Sequence, residues 1–242
     1  MNLIILEERD RIDDSHVVLA DARATHLRTV LNVTPGRQVR VGLLDGPFGV
    51  ATVETADADR VTLRCVFDDD TPPRPRVDLL LALPRPKVMR RLWAQLAALG
   101  VGQILLTNAA RVERHYFDTH VLTEDCYRPL LIEGLQQARD TRLPAVSIQR
   151  QFKVLIEDVL DTRFSGGLRL VADPDAPTPI ASAVRARCPE RVLLAIGPEG
   201  GWNAFELELL QAHGFQTAGV GYRTLRVDTA CAALLAIVHA AL

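Results

Sequence analysis

Short runs in which hydrophobic and polar residues alternate make up about the first seventy residues of the chain. Alternation with a period of two is typical of strands that bury one face and expose the other. The predicted elements are a helix at Ala22–Leu31 and strands at Leu3–Leu6, His16–Ala20, Gln38–Leu44, Phe48–Glu54 and Arg60–Phe67. Several short strands at this spacing indicate a small β-barrel or sandwich.

An acidic and proline-rich stretch, Asp68-Asp69-Asp70-Thr71-Pro72-Pro73-Arg74-Pro75, follows the last of these strands. It interrupts the alternation and carries no helical periodicity, as expected of a linker. We therefore predict a border here, with a β-domain at residues 1–72 and a second domain at residues 73–242.

Beyond this border, apolar strands alternate with helical patterns. The predicted strands are Val77–Leu83, Ile104–Thr107, Val146–Ile148, Leu168–Val171, Val192–Ile196 and Thr217–Val220. The predicted helices are Pro86–Leu99, Glu124–Ala138, Phe152–Leu160, Ile180–Ala186, Ala204–Ala212 and a last one from Thr229. Continuous apolar strands between helices indicate an α/β domain with a mainly parallel sheet covered by helices.

The composition is that of an ordinary folded protein, with 48% hydrophobic and 24% charged residues among 242. These values exclude extensive disorder. The longest apolar stretch, Ala230–Leu242, is shorter than the roughly 20 residues of a membrane-spanning helix. No signal peptide opens the chain, so we expect a cytoplasmic protein without a membrane partner. The four cysteines show no C-x-x-C spacing, and we expect no metal site.

The formal net charge of −2 conceals an uneven distribution. Residues 1–73 carry a net charge of −5, residues 74–153 a net charge of +6, and residues 154–242 a net charge of −3. The basic side chains of the middle third cluster at Arg85, Lys87, Arg90 and Arg91, at Arg111 and Arg114, and at Arg139 and Arg142. They indicate either solvated helix faces or a local phosphate-binding surface.

Gly197-Pro198-Glu199-Gly200-Gly201 follows the strand Val192–Ile196 and precedes a helix that Asn203 is predicted to cap, with Glu206 three residues on. Ligands of open α/β sheets bind at the carboxyl ends of strands, and glycines let the backbone approach them closely. Glu199 disfavours a polyphosphate and favours a ligand with hydroxyls, an amine or a cationic centre. A tight turn without any ligand is the alternative.

A second loop, from Val220 to Thr229, separates another strand from the last helix. It carries Arg223 and Arg226 just before an apolar, alanine-rich helix. Arginines in such a place are costly unless they contact a carboxylate, a phosphate or a substrate. Structural ion pairs, with Asp228 for example, are the alternative to a ligand.

These two loops resemble the signature of a known family. Ile196-Gly197-Pro198-Glu199-Gly200-Gly201-Trp202, followed by Gly221-Tyr222-Arg223-Thr224-Leu225-Arg226-Val227-Asp228-Thr229-Ala230, is similar to the motifs of the bacterial small-subunit ribosomal RNA uridine-N3 methyltransferases. Further similar segments extend the resemblance over the whole chain: His26-Leu27-Arg28, Leu99-Gly100-Val101, Arg111-Val112-Glu113-Arg114 and Glu133-Gly134-Leu135-Gln136-Gln137-Ala138-Arg139. The family usually has Thr-Glu where Val227-Asp228 stands.

The resemblance implies a PUA-like β-barrel that binds RNA, followed by a SPOUT domain with a deep trefoil knot, an exception to unknotted topology. It also implies a homodimer and the cofactor S-adenosylmethionine, bound by three loops. The implied cofactor-binding residues are Val171, Ala172, Ile196, Gly197, Glu199, Gly200, Gly201, Val220, Gly221 and Leu225.

The implied reaction is methylation of N3 of a specific uridine in 16S ribosomal RNA, free or in the assembled 30S subunit. The candidate catalytic residues are Arg226 and Arg223, to stabilise the uracil oxyanion or a phosphate, and Glu199, to orient the cofactor or a ribose. The candidate phosphate contacts are Arg28, Lys87, Arg111 and Arg114. Two alternatives stay open: a divergent SPOUT enzyme that methylates another RNA position, such as a ribose hydroxyl or a transfer RNA, and a non-catalytic RNA-binding assembly factor.

Overall fold

The computed structural model describes residues 3–242, which form two compact units. The first unit contains the described residues up to Arg74 together with Ile132–Leu143. The second contains Pro75–Leu131 and Pro144–Leu242.

The first unit is a five-stranded sheet with one helix. Its elements are β1 (Ile4–Leu6), β2 (His16–Leu19), α1 (Ala22–Thr29), β3 (Gln38–Leu43), β4 (Phe48–Ala56) and β5 (Val61–Phe67), with a single 3-10 turn at Glu8–Asp10. The strand order is β1-β3-β4-β5-β2, in which only β1 and β3 run parallel. Every element predicted for this part of the sequence is present.

Alternation explains why these residues form a sheet around one hydrophobic core. In β4 and β5, buried residues such as Ala51 and Leu63 alternate with more exposed neighbours. The inward-facing residues of all five strands and Leu27 of α1 belong to the same buried cluster. Asp21 begins α1, because its side chain accepts a hydrogen bond from the backbone nitrogen of Arg23.

A segment distant in the sequence completes this unit. The backbone nitrogen of Leu3 donates to the carbonyl oxygen of Gln136 over 3.1 Å. The Thr141 hydroxyl, fully buried, donates to the carbonyl oxygen of Gly46 over 2.7 Å, and a Cβ on Gly42 would lie 2.5 Å from the Thr141 methyl group. No local sequence pattern indicated that Ile132–Leu143 packs with the β-unit.

The second unit is a six-stranded, entirely parallel sheet with helices. Its strands are β6 (Val77–Ala82), β7 (Val101–Thr107), β8 (Ala145–Gln149), β9 (Leu168–Ala172), β10 (Val192–Ile196) and β11 (Phe215–Ala218), in the order β11-β9-β10-β6-β7-β8. Every residue of β6 and β10 is buried, which confirms the prediction that both faces of the central strands are covered.

The helices agree closely with the predicted positions. They are α2 (Pro86–Ala98), α3 (Glu124–Ala138), α4 (Phe152–Val154), α5 (Asp161–Arg163), α6 (Ile180–Arg187), α7 (Ala204–Ala212) and α8 (Val227–Ala241). A π-helical segment, Leu155–Leu160, joins α4 to α5, and 3-10 turns lie at Arg114–Asp118 and His120–Leu122. Within residues 3–242, none of the helices combines the length and the apolar character needed to cross a membrane.

Two predicted bounds are corrected near the chain's end. The strand predicted at 217–220 lies two residues earlier, because Phe215 is buried and pairs with Arg169 of β9 while Val220 is exposed. The last helix begins at Val227 rather than Thr229, and Arg226 is its N-cap residue. The loop between β11 and α8 is therefore Gly219–Arg226.

Candidate active site

A cavity of about 390 Å³ lies where three neighbouring strands of the parallel sheet end. Ala172 ends β9, Ile196 ends β10, and Gly219 directly follows β11, and all three residues line the cavity. Because these strands are parallel neighbours, their carboxyl ends and the loops after them meet at one edge. The two loops identified in the sequence thus form one site.

Most of the predicted site residues line this cavity. They are Arg111, Ala172, Ile196, Gly197, Glu199, Gly200, Gly201, Val220, Gly221, Arg223 and Leu225. Two of the predicted catalytic and cofactor-binding residues do not. Val171 is fully buried within β9, because this strand extends one residue beyond its predicted end. Arg226 is the exposed N-cap residue of α8.

The sequence interpretation missed several lining residues. Pro174 and Asp175 come from the loop after β9, and Trp202 from the end of the glycine-rich loop. Val227, Ala230 and Leu234 project from one face of α8, with the spacing of three and four residues that a helical face requires. That spacing was visible in the sequence, but only the fold shows what the face contacts.

Four positions of the cavity wall require glycine, two because of close packing and two because of their backbone conformation. A Cβ on Gly219 would lie 2.5 Å from the Asp173 carbonyl oxygen, and one on Gly197 would lie 3.1 Å from Nε1 of Trp202. Gly201 and Gly221 adopt φ angles of +73° and +114°, which side-chain-bearing residues rarely adopt. At the exposed Gly201 and Gly221 the wall is therefore backbone, which is able to contact a ligand directly.

The glycine-rich loop is held by its neighbours in the same unit. Oε1 of Glu199 accepts a hydrogen bond from the backbone nitrogen of Arg85 over 3.2 Å. The Arg111 guanidinium donates to the carbonyl oxygen of Gly200, and a Cβ on Gly200 would lie 2.8 Å from Cδ of Arg111. Two predicted functional side chains, Glu199 and Arg111, therefore meet at one loop.

The helix after the loop begins as predicted, with a capping box. The Asn203 side chain accepts a hydrogen bond from the Glu206 backbone nitrogen, and Glu206 accepts one from the Asn203 nitrogen, each over 2.8 Å. The buried Glu206 carboxylate also accepts a 2.6 Å hydrogen bond from the Ala110 backbone nitrogen. This second contact, which the sequence did not predict, ties the start of α7 to the loop after β7.

Trp202, which lines the cavity, has an unpaired hydrogen-bond donor. Its indole nitrogen is buried and has no hydrogen-bond partner within the described residues, while its ring packs at 5.4 Å from that of Phe152. A buried donor without a partner is costly and is normally satisfied by a protein group, water or ligand. Trp202 is therefore a candidate ligand contact.

The two arginines of the second loop differ in position. Arg223 lines the cavity and its guanidinium lies 4.8 Å from the centre of the Tyr222 ring. Neither Arg223 nor Arg226 forms an ion pair with another residue of the described range. Asp228, the suggested partner, instead pairs with Arg91 of α2 over 3.0 Å. The alternative of structural ion pairs with Asp228 is therefore wrong for both arginines.

The predicted phosphate contacts are distributed over both units. Lys87 and Arg114 have exposed side chains in the second unit, as does Arg111 at the cavity. Arg28 is half-buried in the first unit, where its guanidinium donates to the carbonyl oxygen of Asp57 over 2.7 Å. Three of these four cations are thus open to solvent.

A larger cavity, of about 660 Å³, lies at the opposite, amino-terminal edge of the sheet. Four arginines line it, but three have internal partners. Arg191 pairs with the buried Asp78, Arg169 with Asp161, and Arg163 with the Ser147 hydroxyl. Because these charges are largely satisfied within the protein, the smaller cavity is the better candidate site. No cluster of three or more potential metal ligands occurs among residues 3–242.

Comparison with known proteins identifies the family of this chain. A family model described as an RNA methyltransferase domain matches residues 71–239, which include every residue of both cavities. The chain belongs to this family. Ribosomal RNA small subunit methyltransferase E of Treponema pallidum is 29% identical, over 99% of this chain and 92% of the relative. The protein of the same name from Synechocystis is 29% identical, over 96% of this chain and 76% of the relative. The motif-based family prediction is thereby confirmed.

A solved structure has the same fold. The crystal structure of a ribosomal RNA small subunit methyltransferase E from Neisseria gonorrhoeae, bound to S-adenosyl methionine, superimposes with a TM-score of 0.79 at 20% identity. The match covers 98% of this chain and 97% of the other. The predicted class, a small β-unit with an α/β methyltransferase domain, is thereby confirmed.

Proposed function

We propose that this protein transfers the methyl group of S-adenosylmethionine to N3 of a specific uridine in 16S ribosomal RNA. The observation that carries the proposal is the cavity in which the two motif loops meet at the carboxyl ends of β9, β10 and β11. Relatives named small-subunit ribosomal RNA methyltransferases, one of them bound to S-adenosyl methionine, support it.

The cavity fits this cofactor in size and in chemistry. Gly201 and Gly221 are exposed and line the cavity without a side chain, so a flat or extended ligand can lie against the main chain there. The unpaired Trp202 indole nitrogen offers a hydrogen bond, and the Glu199 carboxylate suits a positively charged sulfonium or a ribose hydroxyl. When bound, S-adenosylmethionine supplies the electrophilic methyl group.

The residues of the cavity would then act on the RNA base. N3 of uracil carries a weakly acidic proton between two carbonyls, and its loss places negative charge on N3 and on the two carbonyl oxygens. Arg223, which lines the cavity without an ion-pair partner, is placed to stabilise that charge or a neighbouring phosphate. Arg226 stands at the N-cap of α8, three residues farther, and is assigned a phosphate of the same RNA segment.

RNA binding is assigned to the basic middle third and to the first unit. Lys87, Arg111 and Arg114 are exposed cations of the second unit and would contact phosphates. The domain predicted at residues 1–72, as a PUA-like barrel, would hold flanking RNA with Arg28 as a further contact. The partner is ribosomal RNA or the 30S subunit, in the cytoplasm.

The family also implies a homodimer and a trefoil knot in the second domain at residues 73–242. Two features are compatible with them. The loop Gly219–Arg226 and helix α8 follow the last strand, so the chain's final segment is the one that would pass through a knot. Helix α8 exposes alanines at positions 232, 236 and 240, which would allow close contact with a second copy.

Mass-spectrometric mapping of modified nucleosides tests the proposal. We expect 16S ribosomal RNA from a deletion strain to lack one N3-methyluridine, and the purified protein with S-adenosylmethionine to restore it on 30S subunits from that strain. Restoration of another modification would favour a divergent methyltransferase. Failure to bind S-adenosylmethionine in a calorimetric titration would favour a non-catalytic assembly factor.

A further inference from the structure

Tyr222 is an exposed aromatic residue that packing does not explain. Its exposed fraction is 78%, the highest among the large hydrophobic side chains of residues 3–242. Tyrosine normally buries most of its ring, since the ring is apolar and only the hydroxyl needs water. A single exposed ring is not evidence of a partner by itself, so the meaning of Tyr222 depends on where the ring lies.

The ring stands at the mouth of the candidate active site. Its two neighbours in the chain, Gly221 and Arg223, both line the cavity, whereas Tyr222 itself does not. Gly221 has a φ of +114°, a backbone conformation that sets the direction in which the next residue leaves the cavity wall. Tyr222 is thus placed beside the entrance and not inside it.

Arg223 holds the ring. Its guanidinium lies 4.8 Å from the ring centre, within the range of a cation–π contact. Such a contact lowers the entropy that Tyr222 would lose on binding a ligand, and it adds positive charge next to an aromatic face. An aromatic ring with an adjacent cation is the combination that binds single-stranded nucleic acid, where the ring stacks on a base and the cation attracts a phosphate.

The proposed reaction needs such a surface. N3 of uracil lies on the pairing edge, so the target base must be unpaired and turned out of its stack before it reaches the cavity. A stacking surface at the entrance offsets part of the lost base stacking. We propose that Tyr222 stacks on a nucleobase of the RNA segment that enters the cavity, with Arg223 fixing the ring. This inference rests on the proposed function.

The surroundings favour RNA over a second copy of the chain. Gly221, Arg223, Thr224 and Arg226 are all exposed, so the ring stands in a polar and cationic loop. The core of a homodimer interface is depleted of charged residues, whereas a surface that binds RNA is enriched in cations.

Filter binding with unmodified 16S ribosomal RNA, in the presence of S-adenosylmethionine, tests the proposal. The proteins compared are the wild type, Tyr222→Ala and Tyr222→Phe. We expect Tyr222→Ala to raise the Kd for RNA about 5- to 100-fold, since one base–aromatic stack is lost. Tyr222→Phe keeps the ring and should stay within about twofold of wild type. Phe205→Ala removes another exposed ring, 57% exposed on α7, and serves as the matched control with unchanged Kd.

Two further measurements separate this role from others. The Kd for S-adenosylmethionine and the mass measured by light scattering should be the same in all four proteins. A Tyr222→Ala protein with wild-type RNA affinity, or one whose mass halves because a dimer dissociates, would overturn the proposal. Because the experiment measures RNA binding, it tests the role of Tyr222 even if the wild-type protein fails to methylate RNA. A wild-type protein that does not bind RNA would refute both proposals.

Discussion

At the scale of single residues, the cavity depends on a missing Cβ. Gly219 follows β11 directly, and a Cβ there would lie 2.5 Å from the carbonyl oxygen of Asp173, a backbone atom that cannot rotate away. We expect Gly219→Ala to lower the free energy of unfolding by about 1–3 kcal/mol, because the clash forces a backbone shift. The same shift should weaken binding of S-adenosylmethionine at least tenfold. Urea unfolding and calorimetric titration measure the two effects.

Gly166→Ala is the matched control for this substitution. Gly166 lies in the same unit, and a Cβ there would meet no atom within 4 Å. This variant should unfold and bind the cofactor like the wild type. If Gly219→Ala and Gly166→Ala have the same free energy of unfolding and the same cofactor affinity, the close contact at residue 219 contributes to neither quantity.

Predicted site residues that share a loop lie together at the cavity. The loop from Gly197 to Gly201 was identified because it directly follows an apolar strand, whereas Val220, Gly221 and Leu225 were implied by the family resemblance. Val171 was misplaced by one position, since β9 ends at Ala172, and adjacent residues of a strand point to opposite faces. Leu234 was missed because its contact with the cavity depends on where α8 packs, which no local pattern encodes.

At the scale of elements, the end of α8 carries a pH-dependent contact. His239 faces the turn after α2, where a Cβ on Gly100 would lie 3.7 Å from its ring. Burial lowers the pKa of His239 below 6.5, although the backbone groups of Leu99 and Gly100 favour its protonated form. The unfolded chain therefore binds a proton more readily than the native state, so this contribution to stability is complete above about pH 6.5 and is lost as the pH falls.

We therefore expect the free energy of unfolding to decrease less in His239→Gln than in wild type between about pH 7.5 and about pH 5.5. The difference between proteins is the informative quantity, because the pKa of His16 is raised by Asp13 and contributes with the opposite sign. Denaturant titrations at several pH values measure it. His120→Gln, at an exposed position, is the control. Parallel curves for wild type and His239→Gln would contradict the expectation.

The positions of elements were predictable where periodicity was strong. Strand β10 and helix α7 have the predicted bounds, because a continuous apolar run and a capping box mark them. The predicted position of β11 was two residues too late in the sequence. Thr217 to Val220 is as apolar as Phe215 to Ala218, and only pairing with β9 distinguishes the two segments. The packing of Ile132–Leu143 with the first unit depends on long-range hydrogen bonds, such as that of Thr141 with Gly46.

At the scale of the whole molecule, the total charge is a poor guide to binding. A net charge of −2 suggests no affinity for nucleic acid, yet residues 74–153 carry +6. In the structure several of these cations surround the loops of the site. Arg111 lines the cavity, the backbone of Arg85 holds Glu199, and Arg91 pairs with Asp228 beside the N-cap of α8. Local charge, which acts within about a Debye length of 10 Å, governs contacts with RNA phosphates.

The two lysines of the chain allow a direct test of this local field. Lys87 is exposed on α2, two residues after Arg85, whereas Lys153 pairs with Glu157 over 3.7 Å. If Lys87 neutralises one phosphate, Lys87→Gln should weaken RNA binding and lower the slope of log K against log salt by about one, because one fewer counterion is released. Lys153→Gln changes the total charge equally but removes a cation already paired within the protein, so its slope should match wild type. Filter binding over a series of salt concentrations measures all three slopes. Equal slopes for the two variants would mean that RNA responds to the total charge and not to the basic surface near the site.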